Sequence, residues 1–338
     1  MANAAFSPRD FKAWVVEETD TGNNAGALDA PAITSGLLQL DVDSVSFPSL
    51  NVNQVLEKRT SVGRVLHKND FFQDNEMRVT EVSLSGTYHN DTGHILLMQS
   101  ACGVALQSTV ADVVIPTAST TVSGLYGSGT ESNKTFTLVL APPDTTDGYN
   151  IVMPGCLCTN FSITADTGTD GGLYKWSATI SSGQNPITNN TATEAGTAYV
   201  GTNTVAIATL TAATTINSIT STILNSFSVT VDSPAVYTGF SATGYAAFAR
   251  AAELSVTCAA QVKYDSVTRP LINNFNTQSG TDDADFFTMT QASATDCSIA
   301  IGAGVLTNVA LSEGDIMMLD IEGKAVNVGN NILSFDLA

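Results

Sequence analysis

The stretch Asp43–Gly103 most constrains the fold, because it combines two strand-like segments, a long polar loop and a short capped helix. Apolar and polar residues mostly alternate over Val45–Val52 and again over Val79–Gly86, as they do on half-buried strands. Asp91 or Thr92 is placed to cap a helix that the final glycine of the stretch ends. The order of these segments predicts a β-sheet with a flanking helix.

The composition extends this prediction to the whole chain. Only 13% of the 338 residues are charged, hydrophobic residues make up 43%, and Thr, Val and Ile are common. This content is sufficient for a packed core, and the scarcity of helix formers favours a mainly β protein. The length fits two domains better than one.

The charge balance argues against specific nucleic-acid binding. The net charge is −19 and the isoelectric point is about 4.2, so the chain as a whole repels a phosphate backbone. Such charge serves solubility in most proteins. It would also suit a wall past which DNA slides without binding.

The second half of the chain repeats the order of features found in the first half. The matched segments are Val45–Phe47 with Ser226–Val231, Val82–Gly86 with Leu254–Cys258, Tyr88 with Tyr264, the helix after Thr92 with Thr268–Ile272, the strand at Phe136 with Phe286–Thr290, and Cys158–Ile163 with Leu306–Leu311. Six matches in one order predict an internal duplication. We therefore expect an N-terminal arm over 1–35, a first β domain over 36–181, a low-charge linker over 182–217 and a second β domain over 218–338.

The N-terminal arm carries apolar residues that favour docking on a neighbour, namely Phe11, Trp14 and Val15. The first residues lack the basic and apolar regions of a signal peptide, and no run is long enough to span a membrane. These features predict synthesis in the cytoplasm and no membrane segment.

The residues that carry most enzymatic chemistry are few and poorly placed. The five cysteines lack metal-site or disulfide spacing, and His89 and His94 do not have the spacing of a zinc-binding helix. Acidic clusters such as Asp166 with Asp170 are typical of turns, with a Ca²⁺ site as the alternative. We therefore expect buried structural thiols, no catalytic residues, no metal and no cofactor.

The loop Leu56–Arg78 holds five of the 13 basic residues of the chain, interleaved with acids. It is either a solvated loop or a loop that docks on an acidic surface, which another copy of this chain would supply. The candidate contact residues are Lys58, Arg59, Arg64, Lys68, Phe71, Phe72 and Arg78.

Three segments together resemble the tail tube proteins of long-tailed bacteriophages. They are LDVDSVSFPSLNVNQVLEKRTSVGR, RVTEVSLSGTYHNDTGHILLMQSACG and MPGCLCTNFSITADTGTDGGLYKWSATISSG. With the second copy, the resemblance covers most of residues 36–338. It implies two tandem tail-tube-type β-sandwich or barrel domains, each with a short flanking α-helix. It also implies rings that stack into a hollow tube, with the long loop reaching the next ring.

Most members of that family have one such domain and form hexameric rings, so two domains per chain imply a homotrimer that forms a pseudo-hexameric ring. The resemblance further implies a structural virion protein of the tail tube, without enzymatic activity, through which DNA is ejected. Its partners would be itself, the tape measure, tail terminator and distal tail proteins, and genomic DNA that passes non-specifically.

Other classes of function remain open from the residues alone. A tandem β-sandwich adhesin or a capsid decoration protein also fits the Thr- and Asn-rich segments. A glycoside hydrolase needs two carboxylates in an aromatic-lined cleft, and 7% aromatic residues with two Trp argue against one.

Overall fold

A computed structural model gives the chain a mainly β fold, as the sequence predicts, with two α-helices among the described residues. The structure describes residues 7–18, 36–48, 53–56, 71–74, 79–103, 112–115, 135–143, 150–189, 196–198, 205–207, 214–221, 223–239, 245, 247–250, 253–277, 286–290, 297–326 and 332–336. Within these ranges, no helix is long and apolar enough to cross a membrane.

The elements of the first half begin with a short 3₁₀ helix, Pro8–Asp10. The first half then contains β1 Lys12–Glu17, β2 Leu37–Leu40, β3 Ser44–Val45, β4 Asn53–Leu56, β5 Phe71–Asp74, β6 Thr80–Thr87, α1 Thr92–Cys102, β7 Asp112–Ile115, β8 Phe136–Ala141, β9 Asn150–Asp166, β10 Lys175–Ser182, β11 Ile187–Asn189 and β12 Gly196–Thr197.

The second half contains β13 Thr214–Ile216, β14 Ile219–Ser221, β15 Leu224–Asp232, β16 Ala235–Thr238, β17 Ala247–Arg250, β18 Ser255–Lys263, α2 Pro270–Thr277, β19 Phe287–Met289, β20 Ser298–Ile301, β21 Gly304–Ser312, β22 Met318–Ala325 and β23 Leu333–Asp336. β9 with β10 and β21 with β22 form antiparallel hairpins.

Eight strands form the main layer, in the order β3-β6-β10-β9-β15-β18-β22-β21, with every neighbouring pair antiparallel. Side chains alternate over much of these strands, and β6 shows this most clearly, with Val82 and Leu84 buried and Glu81 and Ser83 exposed. Such alternation is typical of a sheet with one packed and one solvated face.

Two smaller groups of strands cover the packed face together with the helices. Their orders are β2-β1-β8-β9-β11 and β14-β13-β19-β20-β23, with β12 added to the first group and β7 to the second. Strand β9 belongs to both layers, because Gly155 has a φ of +63° and allows the strand to turn a corner.

The helix α1 lies inside this structure and not on its surface. Gly103 ends it in the left-handed conformation, with φ +66°, as predicted. Its residues Leu96, Leu97 and Met98 are fully buried. His94 is also fully buried, with the centroid of its ring 4.9 Å from that of Trp176.

The structure corrects the expected N-terminal arm. Residues 12–17 form β1, which pairs with both β2 and β8 of the same chain. Trp14 is 4% exposed and Val15 is fully buried, so both side chains pack within their own chain. Phe11, just before the strand, lies against Phe47 with ring centroids 4.9 Å apart.

Two further boundaries differ from the sequence-based expectation. The expected linker over 182–217 contains β11 and β13, which belong to the covering groups of strands. The expected loop over 56–78 contains β5, which pairs with β4 as a hairpin. Both corrections have one cause, because short strands that pair at a distance leave little periodicity in the local sequence.

Candidate assembly surface

The four strands at one end of the main layer have the same pairing order as the four at the other end. β3-β6-β10-β9 corresponds to β15-β18-β22-β21, and a helix follows the second strand in each set. The covering groups correspond as well, with β2-β1-β8-β9-β11 matching β14-β13-β19-β20-β23.

Local details fix which positions are equivalent. Thr159 is the extra residue of a bulge opposite Thr179 and Ile180, and Thr307 is the extra residue opposite Glu322 and Gly323. The predicted match of Cys158–Ile163 with Leu306–Leu311 therefore agrees with the bulges.

The two tyrosines give a second match. The N–H of Tyr88 donates to the carbonyl of Tyr174 at 2.8 Å, and that of Tyr264 donates to the carbonyl of Met317 at 3.0 Å. Continuing this register along β6 and β18 makes Cys258 equivalent to Val82. The sequence-based match of Cys258 with Gly86 was therefore displaced by four residues.

A hairpin occupies the same place in both halves. β4–β5 lies between β3 and β6, and β16–β17 lies between β15 and β18. The strands have equal lengths, whereas the connecting residues are 57–70 in the first and 239–246 in the second. Phe71 and Phe72 lie in β5, and the predicted contact residues Lys58, Arg59, Arg64, Lys68 and Arg78 lie outside the described residues.

The two sets of four strands meet edge to edge where β9 pairs with β15; we call this pairing the internal interface. Its register runs from Ser226 opposite Asp166 to Asp232 opposite Asn160. The N–H of Ser233 extends it by donating to the carbonyl of Thr159 at 2.8 Å. On the core side, the ring of Phe227 packs against that of Tyr174 with centroids 4.9 Å apart.

Within the described residues, the two end strands of the main layer, β3 and β21, each pair on one side only. We call their outer sides the open edges. They are the counterparts of the strand edges that meet in the internal interface, since β3 is equivalent to β15 and β21 to the C-terminal part of β9. The chain thus has two complementary edges without a strand partner among the described strands.

Exposure at the open edge of β21 differs from exposure at the equivalent positions of β9. Leu311 is 48% exposed, whereas its equivalent Ile163 is fully buried, and Met317 is 45% exposed where Tyr174 is fully buried. Ile316 beside them is 63% exposed. These apolar side chains are left uncovered where the internal interface covers their counterparts.

The open edge of β3 is compatible with pairing. The N–H of Ser46 donates to the carbonyl of Ser83 at 2.9 Å, so it points into the chain's own sheet. By alternation, the missing N–H of Pro48 also lies on that inner side, and the backbone groups of Val45 and Phe47 point to the outer side. The proline therefore does not block a further strand.

The solvated face of the main layer is rich in small hydroxyl residues, and we call it the polar face. Ser162 and Ser177 hydrogen-bond across strands at 2.8 Å, and the amide of Gln261 donates to Asp320 at 2.7 Å. The charged residues of this face are Glu81, Asp166, Asp232, Asp320 and Glu322 with Lys175, Lys263 and Lys324. Carboxylates exceed lysines, so this face is mildly acidic.

The β16–β17 hairpin packs on the first half of the chain. The hydroxyl of Tyr237 lies 2.7 Å from that of Ser181, and the Tyr237 ring packs against Gly183 so closely that a Cβ there would clash with it. Arg250 donates to the carbonyls of Ser100 at 2.6 Å and Cys158 at 2.9 Å, and also to that of Ser233.

The described residues contain no group of three His, Cys, Asp or Glu residues placed to hold a metal ion. All five cysteines are buried and free, as the sequence predicted, and burial raises the pKa of the Cys158 and Cys258 thiols to about 12. Asp166 accepts from the backbone N–H of Gly168 at 2.7 Å, which is the role of a turn residue.

Comparison with known proteins adds no relative to this description, since no protein-family model and no curated protein matches the sequence.

Proposed function

We propose that this chain is a structural protein that assembles edge to edge into a closed ring and stacks into a hollow tube, as tail tube proteins of long-tailed bacteriophages do. The observation that carries the proposal is the internal interface. One chain already joins two equivalent four-stranded sheets side by side, and its two ends carry the same pair of edges. A second copy therefore fits each end by the same pairing.

The pairing between chains follows from the internal interface. Transferring the β9–β15 register to equivalent positions places Phe47 opposite Leu311 and Ser46 opposite Ser312 of the next chain. This contact would cover Leu311 and Met317 as Ile163 and Tyr174 are covered within the chain. The apolar exposure at β21 is thus accounted for by a second copy of the chain.

The number of chains in the ring follows from the family resemblance. Two tandem tail-tube-type units, which we now place at about 12–189 and 214–336, would make each chain equivalent to two subunits of a hexamer. Three chains, eight strands from each, would form a barrel of 24 strands. At a strand spacing of roughly 4.8 Å and tilts of roughly 0 to 45°, its backbone diameter would be roughly 37 to 52 Å.

The polar face would line this barrel, because the opposite face is packed against the covering strands and helices. Its hydroxyl groups keep water at the wall, and its excess of carboxylates makes phosphate contacts unfavourable. Such a lining lets DNA pass without binding. We further propose a location in the virion tail tube, with tape measure, tail terminator and distal tail proteins as partners.

Cysteine cross-linking tests the proposed pairing directly. The variant S46C/S312C places thiols at a predicted pair of facing positions, where the Cα atoms of antiparallel strands lie about 4.5 to 5.5 Å apart, within disulfide range. The native cysteines are all buried. We expect mild oxidation to give covalent dimers and trimers on a non-reducing gel.

The matched control is S46C/A310C, which keeps one thiol and moves the other by two residues on the same face. It should cross-link much less. Equal cross-linking by both variants would contradict the register, and a monomeric mass at high concentration without cross-links would overturn the proposed function.

A further inference from the structure

The equivalence of the two hairpins has a consequence for the first one. The β16–β17 hairpin packs on the half of the chain that lies across the internal interface, through Tyr237 and Arg250. The β4–β5 hairpin has the same strand lengths and the same place between paired strands. Among the described residues, no further half of the chain lies across the edge beside this hairpin. In the proposed ring, a neighbouring chain would lie there.

We infer that the β4–β5 hairpin packs laterally on the second half of the neighbouring chain in the same ring, at the end of β22 and α2. This inference rests on the proposed function, since it requires a neighbour at the open edge of β3. It assigns the strands of the hairpin to contacts within a ring, whereas the family resemblance assigned the whole loop to contacts between rings.

Equivalent positions define the contact. Val55 takes the place of Tyr237, since β4 and β16 correspond residue by residue. β10 and β22 have the same register against β9 and β21, respectively. In this register, Val326 is equivalent to Gly183 and Lys324 is equivalent to Ser181. Val326 is partly exposed and lies just beyond the end of β22, so its surface is accessible to a neighbour.

The charges at the contact change in a complementary way. Within the chain, the hydroxyl of Ser181 lies 2.7 Å from that of Tyr237, and Arg250 lies in the partner strand of the same hairpin. In the contact between chains, Asp74 on the hairpin takes the position of Arg250. Lys324 on the receiving chain takes the position of Ser181. An aspartate on the hairpin and a lysine on the receiving chain favour the pairing of two chains. Among the described residues, the ion-pair partner of Lys324 is the exposed Glu253, at a long distance of 3.8 Å.

The geometry suits a disulfide test. The Cγ atom of Tyr237 is 2.9 Å from the position that a Cβ on Gly183 would take. Cysteines introduced at the two equivalent positions, 55 and 326, should then be close enough to form a disulfide. We expect V55C/V326C to form covalent trimers on oxidation, and each single variant to form at most dimers at background level.

A charge exchange provides an independent measurement. D74K should weaken association between chains about fivefold, K324D should do the same, and D74K/K324D should restore it. The exposed turn residue Asp170 supplies the matched control D170K, which makes the same change of charge and should leave association unchanged.

The outcomes separate the two proposals. Cross-linking of S46C/S312C together with V55C/V326C supports both. If S46C/S312C cross-links but V55C/V326C does not, and D74K/K324D does not restore association, the placement of the hairpin is overturned. The proposed ring would still stand. Failure of both pairs in a protein that stays monomeric overturns the ring itself.

Discussion

Removing the exposed apolar side chains at the open edge of β21 should weaken assembly without unfolding the chain. Leu311 and Met317 are 48% and 45% exposed. Burying a side chain of this size completely contributes about 1.5 to 3 kcal/mol, so covering half of each contributes about 1 kcal/mol. The double variant L311A/M317A should therefore lose about 2 kcal/mol per contact between chains, or about 30-fold in the association constant.

Sedimentation velocity over a series of protein concentrations measures this loss. The free energy of unfolding of the single chain should change by less than about 0.5 kcal/mol, because both side chains are already half in water. The matched control is V267A, which removes a side chain that is 50% exposed in the turn before α2, outside both edge strands, β3 and β21. It should assemble like the unchanged protein.

Two results would refute the reasoning. If L311A/M317A and V267A associate equally well, these side chains are not covered by a neighbour. If L311A/M317A unfolds at much lower denaturant concentration, the two residues stabilise the chain itself, and their exposure does not mark an interface.

Two further predictions concern the folded chain. Glu18 is 7% exposed and accepts hydrogen bonds from the hydroxyls of Thr135 and Thr137 and from the N–H of Gly155. The variant E18A should therefore lower the free energy of unfolding, measured in urea, by about 3 kcal/mol. The control E322A, at an exposed position, should lower it little. A loss below 1 kcal/mol for E18A would contradict this role. Burial lowers the pKa of His94 from 6.5 to about 3. The unfolded chain then binds a proton that the folded chain does not, so stability should fall by up to about 5 kcal/mol as the pH drops from 6.5 to 3. The variant H94N should lose this acid sensitivity, and an unchanged pH profile would contradict the assignment.

The sequence was sufficient to predict the elements that carry strong local patterns. The alternation over Val79–Gly86, the glycine after α1 and the acidic turn between β9 and β10 each correspond to a feature of the structure. The match of Thr159 with Thr307 also holds, because both residues form the same bulge. These signals depend on neighbours in sequence.

Features that depend on distant partners could not be predicted in this way. The run Trp14–Val16 does not alternate, because β1 is buried on both faces between β2 and β8. The four-residue error at Cys258 arose because alternation looks the same after every second residue, and only the pairing with β22 fixes the register. The burial of His94 depends on Trp176, which is distant in sequence.

The candidate assembly surface also combines features that the local sequence predicts with features that depend on distant residues. The sequence-based match of Leu306–Leu311 with Cys158–Ile163 makes Leu311 equivalent to Ile163, which is fully buried. The 48% exposure of Leu311 is visible only in the structure. The predicted basic contact loop drew attention to the hairpin, but the pairing of β4 with β5 and its equivalence to β16–β17 required coordinates.

Electron cryo-microscopy of the assembled protein tests the central claim most directly. The proposal predicts a ring of three chains of 35.2 kDa each, closed by pairing of β3 with β21 and lined by the polar face. The inner barrel should have 24 strands and a backbone diameter of roughly 37 to 52 Å. A protein that remains monomeric, or a ring in which β3 and β21 stay unpaired, would contradict it.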